Sequence, residues 1–106
     1  MRKDPKHLAL VRQIGCVVCS NNGHPDTPCV PHHIKLAGHS GVAYKADDDE
    51  TIALCNIHHN GSKEGREAGE VGYHESPKEF EERYGTQLEI LEQTRFEVEQ
   101  LKGMYV

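Results

Sequence analysis

The sequence predicts a small α+β domain, and three observations predict it. Two short apolar stretches, "CVPHHIK" (29–35) and "ETIALC" (50–55), have the length and composition of strands, and "NIHHNGSK" directly after the second reads as a helix start. Capped helical patterns flank this strand, loop, strand, helix unit on both sides. Cys16-x2-Cys19 and Cys55-x2-His58 have the paired spacing of a tetrahedral zinc site, each turn presenting two ligands to one ion.

The 106 residues predict one domain over 1–106, with a core at about 14–85 and a C-terminal helix at about 86–102. Only 36% of the chain is hydrophobic and there is no Trp, so the apolar core is too small to be generous and a structural metal would supplement it. The charged N-terminus does not read as a signal peptide, and no stretch approaches transmembrane length. These features predict a cytoplasmic protein without a membrane partner, in which a C-x-x-C binds metal rather than forming a disulfide.

Asp4, Pro5 and Gly15 mark the start and stop of an N-terminal helix with Leu8, Val11 and Ile14 inward. "CVVCSNNG" reads as a tight turn that holds two thiols. The glycine-rich segment "GSKEGREAGEVG" (61–72) reads as a mobile loop. "SPKEFEERYG" carries Ser76 as N-cap, Pro77 at the first helical position, Glu79 as the far half of a capping box, and Gly85 as the stop. "TQLEILEQTRFEVEQLKG" repeats that design with Thr86, Glu89 and Gly103, and places Leu88, Leu91, Val98 and Leu101 on one face with Ile90 and Thr94 at its margin. An amphipathic helix of this kind packs on its own domain, so a monomer or weak dimer is expected.

The formal net charge of −5 is unusual for a nucleic-acid partner, but it is unevenly spread. Residues 1–45 carry six Lys/Arg against two acids, and residues 46–106 carry six against fifteen. A basic half facing phosphates and an acidic half facing solvent is compatible with that count.

With Cys16, Cys19, Cys55 and His58 assigned to zinc, Cys29 has no paired partner and reads as a core or free thiol. His32, His33, His59 and His74 still need a role. Adjacent residues leave a strand on opposite faces and a helix about 100° apart, so His32-His33 and His58-His59 each divide between two tasks. His7, His24 and His39 read as surface or loop residues, of which His39 in "GHSG" could approach substrate.

"PHHI", then "TIALCNIHHNG", then a later histidine followed by "FEERYG" resembles the HNH endonuclease superfamily, whose site is a ββα-metal finger. The ordered pattern H-H-I, I-x-L-C-x-x-H-H, H, F-E-x-x-Y-G is most similar to the phage recombination-enhancement, RecA-dependent nucleases, and it covers roughly residues 14–92. The resemblance implies His33 as general base, His32, His59 and His74 as ligands of a catalytic divalent metal, and His58 as the last ligand of the structural zinc. The central Asn of the HNH pattern has no match; Asp48 and Glu50 stand seven and five residues before Cys55, and Asp48 is favoured as the group that orients the base.

The implied activity is metal-dependent hydrolysis of DNA with low sequence specificity, leaving 5′-phosphate and 3′-hydroxyl ends. The implied metal is Mg2+ or Mn2+, with Zn2+ or Ni2+ as alternatives, and a recombinase filament is a further implied partner. A zinc-stabilised DNA-binding or adaptor module without catalysis is the competing reading; such a module would need the four zinc ligands but have no use for His33.

Overall fold

The computed structural model describes residues 3–34 and 47–104, so His39 lies outside the described residues. Helix α1 spans Pro5–Ile14, α2 Val17–Asn21, strand β1 Val30–His33, β2 Thr51–Leu54, α3 Asn56–His59, α4 Lys63–Glu67, α5 Pro77–Tyr84 and α6 Gln87–Gly103. The strands pair antiparallel, Val30 with Leu54, Pro31 with Ala53, His32 with Ile52 and His33 with Thr51. An Ile34 N–H bond to the Glu50 carbonyl (3.0 Å) continues the pairing. This is a small α+β architecture in which a two-stranded sheet runs directly into the short helix α3.

Asp4 caps α1 through its side chain, which accepts the His7 N–H (3.1 Å). The helix buries Val11 completely and tucks Leu10 and Ile14 against the core. His7, expected at the surface, is only 7% exposed. It lies near Arg95 and Lys102 of α6, and burial depresses its pKa. α1 docks on α6, and that docking covers the first turn as well as the apolar stripe.

β2 is buried along its whole length: among the described residues it pairs with β1, and α6 and α1 pack against it. The Ala53 N–H reaches Thr94 Oγ1 (3.4 Å), while that hydroxyl donates to the Ile90 carbonyl (2.8 Å). A backbone donor that would otherwise be buried without a partner is thereby satisfied.

This contact sets the rotation of α6. Its buried residues are Ile90, Leu91, Thr94 and Val98, with Thr94 at the centre. Leu88, expected on this face, is 52% exposed, since at 3.6 residues per turn it lies about 60° beyond Leu91.

The segment 61–72 is not a mobile loop. Ser62 caps α4 by accepting the Gly65 N–H (2.9 Å), and Gly65 is buried against Ile57. After α4 the chain returns to α3: the Tyr73 N–H bonds to the His58 carbonyl (2.9 Å) and the His74 N–H to the His59 carbonyl (3.0 Å). The glycines serve close approach here. A Cβ on Gly72 would lie 2.3 Å from the Gly61 nitrogen, and Gly61 itself has φ +82° with the Glu75 carboxylate against it.

Gly72→Ala is expected to cost about 1–3 kcal/mol in urea denaturation, as overpacking against backbone does. It should also displace His74.

The helix α5 begins with half of the expected capping box. The Glu79 N–H bonds to Ser76 Oγ (3.4 Å), but the Ser76 N–H is taken by the Gly72 carbonyl (3.2 Å) and the Glu79 carboxylate pairs with Arg83. The full reciprocal box is present at Thr86 and Glu89. No described helix is long and apolar enough to cross a membrane.

Candidate metal centres and candidate active site

Cys16 and Cys19 are delivered by the start of α2. Cys16 is the N-cap, and its sulfur accepts the Cys19 N–H (3.4 Å). Cys55 follows β2 directly as the N-cap residue of α3, and His58 lies one turn further along that helix. The four donor atoms lie within 4.8 Å of one another. Nδ1 of His58 stands 3.8 Å from Cys16 Sγ, 3.5 Å from Cys19 Sγ and 3.2 Å from Cys55 Sγ, and the Cys19 and Cys55 sulfurs are 3.7 Å apart.

A tetrahedral zinc with Zn–S of about 2.3 Å and Zn–N of about 2.0–2.1 Å requires edges of about 3.8 Å between sulfurs and about 3.5 Å between sulfur and nitrogen. The donor set and its spacing fit that ion. Hydrogen bonding from Cys16 draws the Cys55 thiol down, while the same contact and burial push the Cys16 thiol up.

The outer side of His58 is also built. Nε2 lies 3.1 Å from the Glu70 carboxylate, which also accepts the Tyr84 hydroxyl. A carboxylate only accepts, so Nε2 carries the hydrogen and the Nδ1 lone pair faces the sulfurs. The hydrogen bonds from Tyr84 and His58 hold the Glu70 pKa down. Neither Glu70 nor Tyr84 carried a role in the sequence reading. Cys29 stands apart: its sulfur donates to the Val11 carbonyl (3.3 Å), and burial pushes the thiol up to about 11.

His59, next to His58 on α3, turns to a different group. The His32 and His59 rings have centroids 4.1 Å apart, His74 lies 5.1 Å from His32 and 4.9 Å from His59, and the Nε2 atoms of His59 and His74 are 3.2 Å apart. Each ring offers one nitrogen within 4.8 Å of the others. With metal–nitrogen bonds of about 2.1 Å, neighbouring ligands are about 3.0–3.4 Å apart in octahedral or tetrahedral geometry, so three histidines in this arrangement fit one divalent cation. Burial, then the neighbouring histidines, lowers the His32 pKa to about 4. His32 is therefore neutral, as a ligand must be, throughout the physiological range.

His33 leaves β1 in the other direction. Its Nε2 lies 2.8 Å from Asp48 Oδ1. Asp48, 6% exposed, is gripped at its other oxygen by the Asp4 N–H (2.7 Å), and its carbonyl accepts the Thr51 hydroxyl (2.9 Å). The Asp4 amide, then His33, holds the Asp48 carboxyl below the usual range, so it is ionised and acts as acceptor. His33 Nε2 consequently donates, and Nδ1 is left with a free lone pair. Glu50, the other acid considered, is turned toward the Asp47 N–H (3.1 Å). A cavity of about 310 Å³ opens beside these groups, lined by His32, His33, Ile34, Tyr73, His74 and Gln87.

The family model for recombination enhancement, RecA-dependent nuclease, matches residues 3–101. The chain belongs to that family. As a member of this nuclease family, it carries both histidine clusters and the His33–Asp48 pair inside the matched span. No curated protein and no solved structure matches the chain.

His74→Ala removes one donor from the three-histidine group and leaves Cys16, Cys19, Cys55 and His58 intact. It should raise the divalent-metal concentration required for cleavage more than it lowers the rate at saturation, read from metal titrations of nuclease activity. An unchanged metal dependence would remove His74 from the site.

Proposed function

We propose that the protein is a metal-dependent HNH endonuclease that hydrolyses DNA phosphodiester bonds with low sequence specificity and leaves 5′-phosphate and 3′-hydroxyl ends. One observation carries the reading: three converging histidines stand beside a separate histidine–aspartate pair, and His32, His74 and His33 of these groups line one cavity. A purely structural zinc module has use for Cys16, Cys19, Cys55 and His58 but none for this second constellation.

In this reading His33 Nδ1 takes the proton from the attacking water, and neutral imidazole is the side chain suited to that task near neutral pH. Asp48 keeps the proton of the resting imidazole on Nε2 and stabilises the imidazolium that forms. His32, His59 and His74 would hold the catalytic cation, Mg2+ or Mn2+, with Zn2+ or Ni2+ as alternatives. A bound cation supplies positive charge for the phosphate oxygens and the leaving oxygen. Three neutral ligands leave that charge uncancelled, whereas carboxylates would offset it.

Cys16, Cys19, Cys55 and His58 would hold the structural zinc in a ββα-metal finger formed by β1, β2 and α3. With contacts made mainly to phosphates, the protein would read DNA by its backbone. The family description supports a recombinase-linked setting, with a RecA-type filament as a further partner. In this reading the chain also acts in the cytoplasm as one domain, a monomer or weak dimer. The test is nicking of supercoiled plasmid across a titration of Mg2+, Mn2+, Zn2+ and Ni2+. Metal-dependent nicking supports the reading, and its absence with every ion overturns it.

A further inference from the structure

Besides the Tyr73 hydroxyl, the cavity holds one polar side chain that the catalytic reading leaves unused. Gln87, the first residue of α6, lines it together with His32, His33 and His74. Its carboxamide makes no hydrogen bond among the described residues. Its backbone is nevertheless well held: Thr86 Oγ1 accepts the Glu89 N–H (3.2 Å) and the Glu89 carboxylate accepts the Thr86 N–H (3.0 Å). With the helix start already fixed, a ligand that arrives has only the side-chain torsions of the amide to order.

The remaining walls say what that ligand needs. Ile34 and the Tyr73 ring are apolar surfaces. Tyr73 packs against His32, His74 and Phe80, with centroids 6.0, 5.5 and 5.5 Å away. His32 and His74 belong to the metal-ligand group, and His33 must keep its Nδ1 lone pair for a proton. A phosphodiester presents only acceptor oxygens. Gln87 and the Tyr73 hydroxyl are the lining groups left to donate to one of them, and of the two Gln87 stands on the capped start of α6.

The geometry points to Gln87 as a phosphate-contacting residue whose amide Nε2–H donates to a non-bridging oxygen of the scissile phosphodiester and fixes its orientation between His33 and the three histidines. This assignment rests on the nuclease reading.

The zinc-loaded full chain tests it with Gln87→Ala, Gln87→Glu and Gln87→Lys. Gln87→Ala should lower kcat/KM for DNA cleavage about tenfold to hundredfold, the range of a hydrogen bond to a charged group. The half-saturating metal concentration should stay at the wild-type value, unlike that of His74→Ala. Gln87→Glu, nearly isosteric but negative, should lose more, and Gln87→Lys, which restores a donor, should recover part of the loss.

Binding of a short DNA duplex in the His33→Ala background, read by fluorescence anisotropy, should weaken in the order Lys, Ala, Glu. Three equal losses would mean packing rather than phosphate contact and would overturn the assignment. Wild-type behaviour of both the Ala and Glu variants would overturn it too, while leaving a cleaving enzyme and the nuclease reading intact. A wild-type protein that neither cuts nor binds DNA would overturn both.

Discussion

His33→Ala should abolish DNA cleavage while leaving the fold and the zinc content unchanged. The side chain is 42% exposed, so its loss opens no cavity in the core. Its one strong contact is with Asp48, and that carboxylate keeps the Asp4 amide as a partner. Removing a positioned general base costs about a hundredfold to ten-thousandfold in rate. Asp48→Asn should fall between wild type and His33→Ala, because an amide still accepts from Nε2 but no longer stabilises the imidazolium. Plasmid nicking at saturating metal measures the loss, and circular dichroism with elemental analysis checks the fold and the zinc. Cleavage by His33→Ala at the wild-type rate would refute the assignment.

Loss of the zinc should unfold the protein. Among the described residues the buried apolar set contains one aromatic residue, Phe80, and is otherwise built from aliphatics and cysteines. Structural zinc in finger peptides is worth about 10–16 kcal/mol at neutral pH, whereas whole domains are stable by about 5–15 kcal/mol. The ion term is therefore as large as the entire expected stability, and Cys55→Ser or a strong chelator should remove the cooperative unfolding transition. Glu70→Gln leaves all four ligands in place but weakens the acceptor that orients His58. It should lower zinc affinity about 10–100-fold, the usual cost of losing an outer partner of a metal-bound histidine. A folded, purified protein without zinc would contradict this.

Part of the candidate site could be read from local periodicity, while the grouping of His32, His59 and His74 came from the family resemblance. Alternation along a strand separates His32 from His33, and the one-turn spacing from Cys55 brings His58 to the cysteines while His59 points elsewhere. What was missed depends on chain segments that meet only in the fold. Glu70 and Tyr84 are twelve and twenty-six residues from His58 and belong to no spacing rule. The "GSKEGREAGEVG" stretch has the composition of a loose loop, yet Gly61 and Gly72 are there because two backbones touch.

The rotation of α6 was misjudged for a related reason. A hydrophobic pattern centres on apolar residues, but this helix centres on Thr94, whose hydroxyl answers the open side of a two-stranded sheet.

In the proposed nuclease each adjacent histidine pair is divided, with His58 serving one metal and His59 another. Calorimetric titration of zinc-loaded protein with Mn2+ or Ni2+, paired with elemental analysis, tests it most directly. Wild type should hold one zinc and bind one further divalent ion; His59→Ala should keep the zinc and lose the second ion, and His58→Ala should lose the zinc. Wild-type binding of the second ion by His59→Ala, or a full zinc complement in His58→Ala, would contradict it.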